Sequence, residues 1–550
     1  MTSAPDSKKG KAARSGSGPS PAAHQKGSWI RAAGKLSLGT MASRILGVVR
    51  DMTRAYLFGT GIAADAFSVA FRLPNMLRAL FAEGALSAAF VPVLTEVMEK
   101  GKPGEWKRFV LSCAAMLTLT LLLVSLLGIL IAPKLIPLIV PGYAETPGKI
   151  ELTINLTRWL FPYIFFIGLA TLAMGTLNSL RHFTAPAMSA AVLNVCMIGA
   201  MLLVCPRLGD LPQKQVFGLA WGVLIGGSLQ LAIQIPPLLK HKLAVACRVS
   251  LRDPKIRRVG RLMLPGFVGM GITEINAFVD MILASLLAAG SVAALEYGNR
   301  VMQLPLGVFA VALGTAVLPT LSRYAARGEE KSLATTFNQA LRLTLFILIP
   351  ITCIFLVVHR PLLALLFERG AFAGGHSLDL TSKAFIFYCI GLCSYGSVKI
   401  IVPMFYSRQN TRTPVRTAAV AMVANVILNI TLMQWLELGG LALATALSSM
   451  LNVSLLLREL RKQYAIAPDR EVLRTAARAL FAGVIAAAGA AAGLWLVSSM
   501  TNFTGIPAHL LQLAAAFALA AGLYLIIMIL LRAPELASLT GLLRGRKEPE

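Results

Sequence analysis

The chain has 550 residues, of which 56% are hydrophobic and only 14% are charged. Soluble domains carry about 25% charged residues, so this composition excludes an ordinary soluble protein. The formal net charge is +27, but the basic residues collect in alternate loops between apolar segments. That distribution follows the positive-inside rule of membrane proteins and argues against nucleic-acid binding.

The chain opens with a segment rich in Gly, Ser, Pro and Lys, residues 1–28, which we predict to be a disordered, basic cytoplasmic tail. It lacks the apolar core and cleavage site of a signal peptide. Apolar segments follow, and residues 109–132 contain no charge at all. Such a segment is long enough to cross a hydrocarbon core of about 30 Å. Membrane-spanning β-strands would instead show short alternating segments.

Hydropathy therefore predicts an all-α, polytopic membrane protein with about 14 transmembrane helices. Two weak sequence repeats are separated by about 230 residues, as expected for a transporter with two repeated lobes. We expect two pseudo-symmetric six-helix lobes plus two appended C-terminal helices. The predicted parts after the tail are an N-lobe at 29–240, a C-lobe at 241–460, the appended helices at 461–535 and a cytoplasmic tail at 536–550.

The loops indicate the orientation of these helices. Residues 240–261 and 458–478 are strongly basic, whereas the alternate loops at 436–440 and 499–507 contain no basic residue. An even number of spans puts both termini on one side, and the basic loops make that side cytoplasmic. We expect a multi-pass protein of the cytoplasmic (inner) membrane.

The first two predicted spans contain ionisable residues where apolar ones are expected. One such residue at mid-bilayer costs about 2.5–3.5 kcal/mol, so these side chains must face protein or a water-filled cavity. The residues are Arg44, Arg50, Asp51, Arg54, Asp65, Arg72, Arg78 and Glu83. Pro74 should kink or break the second span between them. In the second lobe, Glu296, Arg300 and Gln303 precede a similar Leu-Pro segment.

Several guanidinium groups in one cavity favour an anion, and arginine suits phosphate because it donates in pairs and stays charged. We predict that Arg44, Arg50, Arg78 and Arg300 bind it. Asp51, Asp65 and Glu83 are predicted to gate the cavity or orient the arginines. The alternative is that each arginine pairs with one of these acids to hold helices together, and this alternative is the stronger one for Arg54 and Arg72.

A second polar group lies in the other lobe, in an otherwise apolar environment. Carboxylate, amide and hydroxyl oxygens suit a hard cation, so Asp280, Asn425, Asn429 and Thr445 form a candidate Na⁺ site. The alternative is interhelical hydrogen bonding, which is common in membranes. The seven cysteines show no metal pattern, and there is no nucleotide-binding motif. We therefore expect no cofactor and a driving force from Na⁺, H⁺ or membrane potential.

Four segments of the chain resemble the MurJ (MviN) family of lipid II flippases. They are S-R-I-L-G-V-V-R-D at 43–51, the segment A-D-A-F…L-P-N-M-L-R-A-L-F-A-E-G at 64–84, N-R-V-M-Q-L-P at 299–305 and F-Y-S-R-Q-N-T-R-T-P-V at 405–415. The family belongs to the multidrug/oligosaccharidyl-lipid/polysaccharide exporter superfamily. The likeness extends from about residue 30 to about residue 530, which is nearly all of the predicted membrane domain.

The resemblance implies that the chain moves lipid II, an undecaprenyl pyrophosphate bearing a disaccharide-pentapeptide, from the cytoplasmic to the periplasmic leaflet. The family's cavity arginines correspond to Arg44, Arg50, Arg78 and Arg300, and its first-lobe acid to Asp65. Asn299 and Gln303 depart from the family, where acids occur. The implied partners are lipid II, membrane lipids and the wall-synthesis machinery, and we expect a monomer that binds no nucleic acid.

The resemblance implies alternating access between the lobes, with the polyprenyl tail left in lipid. The appended helices are expected to offer a groove for that tail.

Three alternative functions are considered. A multidrug exporter of the same superfamily would need acidic or aromatic cavity residues. A polyprenyl-phosphate glycosyltransferase would carry clustered acids for Mg²⁺ in a cytoplasmic loop. A non-transporting scaffold would not need arginines within the bilayer.

Overall fold

The computed structural model describes residues 43–79, 86–241, 250, 253–500, 503 and 505–536. All regular elements in these ranges are helical, which agrees with the predicted fold class. The basic tail 1–28, Glu83 and the C-terminal tail beyond residue 536 lie outside the described residues.

Nineteen α-helices follow one another between residues 43 and 530 of the described ranges. The first, α1, is described over residues 43–58. The N-lobe continues with α2 (Ile62–Arg78), α3 (Ser87–Lys100), α4 (Glu105–Ile139), α5 (Lys149–Leu160), α6 (Tyr163–Ser179), α7 (Thr184–Leu203), α8 (Pro212–Ala232) and α9 (Ile235–Lys240). The C-lobe contains α10 (Pro254–Ser285), α11 (Ser291–Pro305), α12 (Val311–Arg327), α13 (Glu330–Phe367), α14 (His376–Ile390), α15 (Leu392–Ser407), α16 (Arg412–Leu436) and α17 (Leu438–Tyr464). The appended helices are α18 (Arg470–Met500) and α19 (Ile506–Leu530).

Within the described residues, ten helical segments are long and apolar enough to cross a membrane, and the bent pair α14–α15 adds an eleventh. The predicted total of about 14 also counts α1, the α2–α3 pair and α10. Of these, α1 is described over 16 residues, and α2 and α3 have 17 and 14 residues, so each is shorter than a complete span. On α4, large apolar side chains such as Leu123, Leu126 and Leu130 are exposed, as expected for a lipid-facing surface.

Two turns support the internal repeat in backbone detail. Arg181 and Gln409 both have positive φ, 59° and 57°, and each ends a helix. The next residue then donates to a carbonyl five positions back, His182 N to Leu177 O at 2.8 Å and Asn410 N to Phe405 O at 3.0 Å. This is the Schellman pattern of helix termination. The same turn therefore closes the corresponding helix in each lobe.

Prolines interrupt the charged spans differently from the prediction. The sequence predicts a kink or a break at Pro74, and helix α2 continues unbroken past this residue to Arg78. The described chain resumes at Leu86, and α3 begins one residue later. In the second lobe Pro305 is followed by a single π-helical turn, Leu306–Ala310, and the span continues as α12.

Candidate functional site

The charged residues of α1 face α11 along an antiparallel seam between the two lobes. Asp51 meets Arg300 at the centre of this seam. Three residues further along α1, Arg54 meets Glu296, four residues earlier on the partner helix. Seven residues in the other direction, Arg44 lies against Gly307 in the π-turn, seven residues beyond Arg300. We call this row of contacts the α1–α11 seam.

Helical periodicity explains why these side chains fall on one line. Residues spaced by three, four or seven positions share a face of an α-helix. Asp51 and Arg54 are such a pair on α1, and Glu296 and Arg300 are such a pair on α11. Each helix therefore offers one charged stripe, and opposite charges of the two stripes form pairs where the lobes meet.

At the centre, two arginines from different lobes share one buried carboxylate. Arg50 donates to Asp51 Oδ1 from Nε at 3.0 Å and from Nη2 at 2.8 Å. Arg300 Nε lies 2.8 Å from Asp51 Oδ2, whose side chain is only 4% exposed. Arg50 Nη1 also donates to Asn194 Oδ1 at 3.1 Å. One carboxylate therefore faces two guanidinium groups, and the centre carries an excess positive charge.

Arg300 retains unused hydrogen-bonding capacity. Its side chain is 42% exposed, and only Nε approaches Asp51. Within the described part of the chain, its two Nη atoms donate to no protein acceptor. The paired Nη edge of this guanidinium is thus left without a protein acceptor in the described residues.

Arg54, in contrast, is buried and paired with residues of the other lobe. Its Nη2 lies 3.0 Å from Glu296 Oε2, which also accepts a hydrogen bond from Ser68 Oγ at 2.7 Å. Its Nε donates to Tyr297 OH at 3.1 Å, and the guanidinium carbon lies 4.6 Å from the centre of that ring. Arg54 therefore joins the lobes structurally, through Glu296 and not through the acids considered in the sequence analysis.

The remaining predicted arginines lie on α2. Arg72 pairs with Glu274 of α10 at 3.4 Å, a second contact between lobes. Arg78 Nε donates to Asn75 Oδ1 at 2.9 Å on its own helix. Of the four predicted ligands, Arg50 and Arg300 therefore meet at Asp51, whereas Arg44 lies against Gly307 and Arg78 donates to Asn75. Glu83 belongs to the part of the chain that is not described.

Asp65 lies away from these arginines, at the end of the lobes predicted to be periplasmic. Its carboxylate accepts from Lys149 Nζ at 2.7 Å, Gly290 N at 2.7 Å and Ala293 N at 2.9 Å. Lys149 is buried and lies 3.8 Å from the centre of the Tyr143 ring. Asp65 thus caps the start of α11 across the lobe boundary. The sequence analysis missed Lys149 because a lone lysine at a span end is typical of the membrane interface.

Glycines close the same end of the boundary tightly. A Cβ atom at Gly59 would collide with the Ala371 carbonyl, one at Gly142 with the Ser285 carbonyl and one at Gly290 with the Thr60 carbonyl. Nearby, the hydroxyls of Thr60 and Ser377 lie 2.8 Å apart. We call this contact region, together with Asp65, the periplasmic-end seal.

The opposite end of the lobe boundary is also in contact. The first turns of α10 form ion pairs with α3 and α4, Arg258 with Glu96 at 2.9 Å and Lys255 with Glu105. Val259 is buried among apolar residues of those helices. In this structure, therefore, the seam is covered at both ends.

The second predicted cluster is brought together in part. Asn429 Nδ2 donates to Asp280 Oδ1 at 2.6 Å and to Asn425 Oδ1 at 2.9 Å. In the alternative orientation of the Asn425 amide, its nitrogen lies 3.1 Å from Asp280 Oδ1. The Thr445 hydroxyl donates to Leu441 O of its own helix at 3.0 Å. The described residues contain no group of three or more His, Cys, Asp or Glu side chains suited to a metal ion.

An apolar pocket opens between the C-lobe and the appended helices. It has a volume of about 280 Å³ and is lined by Ile349, Thr352, Cys353, Cys393, Ala476, Ala477 and Leu480. These residues belong to α13, α15 and α18. The lining has almost no polar surface, so the pocket suits a hydrocarbon chain.

Comparisons with known proteins give one consistent picture. The family model described as lipid II flippase MurJ matches residues 54–533. The chain is 35% identical to the probable lipid II flippase MurJ of Vibrio cholerae serotype O1, over 90% of this chain and 95% of that protein. It is 33% identical to the lipid II flippase MurJ of Burkholderia cenocepacia, over 88% and 94%.

Solved structures agree with these sequence matches. A lipid II flippase MurJ in an inward closed conformation superposes with a TM-score of 0.75 at 28% identity, covering 90% of this chain and 98% of that one. A multidrug resistance MATE transporter of the MOP superfamily, facing inward, gives a TM-score of 0.64 at 15% identity, covering 81% and 99%. The second likeness concerns the fold alone.

Proposed function

Because the chain belongs to the MurJ family of lipid II flippases, we infer that it moves lipid II across the membrane by alternating access. It is a transporter and not an enzyme. Its substrate is a lipid whose pyrophosphate and sugar-peptide head group must pass through the protein, while the polyprenyl tail stays in the bilayer.

The observation that carries the mechanism is the sharing of Asp51 by Arg50 and Arg300. The two guanidinium groups come from different lobes, so an anion bound to both would connect the lobes. A pyrophosphate would take the place of the Asp51 carboxylate between them, using the available edge of Arg300. Arg44 and Arg78 lie further along the path and would bind the same group as it enters.

The contacts between the lobes at both ends of the seam support an alternating-access cycle. The periplasmic-end seal and the α10 contacts would open in turn, and Asp65 would gate the first by releasing the amides of α11. If one end closes before the other opens, the path of the charged head group is never open to both sides at once. Water and ions then cannot leak across the membrane through the protein.

A cation near Asp280 would bias this cycle. Asp280, Asn425 and Asn429 supply oxygen atoms close together, and Thr445 on the adjoining helix would add another by changing its hydroxyl orientation. These oxygen atoms suit either Na⁺ or H⁺. The alternative role of the same residues, hydrogen bonding between helices, accounts equally well for their arrangement.

We propose the apolar pocket beside α18 as a seat for part of the polyprenyl tail. The protein would reside in the cytoplasmic membrane with both termini cytoplasmic, as the loop charges indicate. Membrane lipids and the wall-synthesis machinery are its proposed partners, and a monomer is sufficient for this mechanism.

The test compares Arg300→Ala with Arg323→Ala, an exposed arginine further along the same span. Binding of lipid II to purified protein in nanodiscs and rescue of a depleted strain are measured. We expect Arg300→Ala to weaken binding about tenfold or more and to abolish rescue, because a charge-assisted hydrogen bond contributes about 1.5–3 kcal/mol. Arg323→Ala should behave like the wild type. Full rescue by folded Arg300→Ala would refute the proposed site.

A further inference from the structure

The π-turn at Leu306–Ala310 has an identifiable cause and an unusual neighbour. Pro305 has no N–H to donate to the carbonyl of Val301, and its ring crowds that carbonyl. The wider turn directly after it absorbs this conflict while the span continues. At this turn the seam contains a residue without a side chain, Gly307.

Gly307 leaves a slot that the Arg44 guanidinium fills. A Cβ built on Gly307 would lie 3.0 Å from Arg44 Cζ and would collide with Nη1. The backbone of Gly307 is not in the left-handed region, so glycine supplies space here and not conformational freedom. The neighbour is the end of a flexible side chain, so filling the slot would displace Arg44 without unfolding the helix.

The slot at Gly307 determines where the Arg44 guanidinium lies relative to the other arginines. Arg50 and Arg300 converge on one carboxylate, so a single phosphoryl group there would serve both. Arg44 is six residues from Arg50, about 9 Å along the helix axis. A pyrophosphate ligand would extend its second phosphoryl group along the seam towards Arg44. A monophosphate ligand has no such group and would not reach Arg44.

Resting on the proposed function, we propose that Gly307 is a positioning residue that holds Arg44 for the second phosphate of a lipid pyrophosphate. It thereby makes the carrier prefer pyrophosphate lipids over monophosphate lipids. Arg44 makes the contact, and Gly307 acts only through Arg44.

The test is a double-mutant cycle with two probes, undecaprenyl pyrophosphate and undecaprenyl monophosphate, bound to the full chain in nanodiscs. The variants are Gly307→Ala, Arg44→Ala and their combination. Gly522→Ala is the matched control, because a Cβ at Gly522 meets nothing within 4 Å. Thermal unfolding of each variant checks that the fold is kept.

We expect Gly307→Ala to lower the preference for pyrophosphate over monophosphate about tenfold, the effect of losing one charge-assisted contact. Arg44→Ala should lower it equally, and the combined variant no further. An unchanged preference in Gly307→Ala, or an equal additional loss in the Arg44→Ala background, would overturn the proposal. If Arg300→Ala binds pyrophosphate lipid as well as wild type does, the proposed function itself fails.

Discussion

At the residue scale, the sequence predicted the kinds of side chain in the site but not their partners. The seven-residue spacing of Arg44 and Asp51 places them on one face of α1. Which lobe would neutralise them depended on the packing of helices more than 200 residues apart in sequence. Only the structure therefore shows that Glu296 is the partner of Arg54.

Asp51 should compete with the transported anion for Arg50 and Arg300. In Asp51→Asn the two guanidinium groups lose their shared counter-charge, so we expect lipid II to bind about tenfold more tightly while transport slows. Equilibrium binding in nanodiscs and a lipid II accessibility assay would measure the two effects. Weaker binding would mean that Asp51 orients the arginines instead of competing for them.

At the element scale, helix starts and ends act as connectors between the lobes. Helix α11 begins at the periplasmic-end seal, where its free amides are capped by a carboxylate of the other lobe. Sequence patterns predicted both helices but assigned Asp65 to the arginine cavity, because a cap across a domain boundary leaves no local signal.

We expect a replacement of Asp65 to open the periplasmic-end seal more when it removes more of the oxygen atoms that accept hydrogen bonds from α11. Both replacements leave Lys149 without its counter-charge, but Asp65→Asn keeps one oxygen for the α11 amides, whereas Asp65→Leu keeps none. We expect labelling of Thr60→Cys by a membrane-impermeant maleimide to rise from wild type to Asp65→Asn to Asp65→Leu. Equal labelling in all three backgrounds would show that Asp65 does not hold the seal.

A buried acid ties the appended helices to the C-lobe. Glu535 accepts from Arg342 Nη2 at 2.6 Å and from Thr475 Oγ1 at 2.6 Å. Burial acts to raise the pKa of Glu535, but the hydrogen bonds from Thr475 and Arg342 outweigh it, so the pKa is lowered. The carboxylate therefore stabilises the fold above the ordinary glutamate pKa of about 4.3, and this contribution disappears as the pH falls through its lowered value.

Glu535→Gln should accordingly reduce the unfolding temperature at pH 7, and its difference from wild type should shrink below about pH 4. Unfolding followed by intrinsic fluorescence in detergent, across a pH series, measures this difference. Glu471→Gln is a suitable control, because its partner Arg474 is an exposed neighbour on the same helix. A difference that grows towards low pH would contradict the assignment.

At the scale of the whole molecule, the two lobes must separate at one end while they stay together at the other. The fold class and the repeated organisation followed from hydropathy and from weak repeats, because membrane spans and turns are local features. The state of the molecule, covered at both ends of the seam, could not be read from the sequence, since it depends on how two preformed lobes meet.

A disulfide across the periplasmic-end seal should stop the cycle. The hydroxyls of Thr60 and Ser377 are 2.8 Å apart, so the pair Thr60→Cys and Ser377→Cys places two thiols within bonding range. We expect the oxidised protein to bind lipid II but not to transport it, and a reductant to restore transport. Each single cysteine variant serves as a control, and transport by the fully cross-linked protein would show that this contact does not open.

The shared carboxylate at the centre of the seam bears on the half of the cycle in which nothing is carried. After delivery, an empty carrier with two bare arginines would have to move uncompensated charge through a low-dielectric interior. In the proposed cycle, Asp51 would refill the vacated position from within the protein, so one of the two arginine charges there would stay compensated in the unloaded molecule. The empty carrier would then return with less uncompensated charge in its interior.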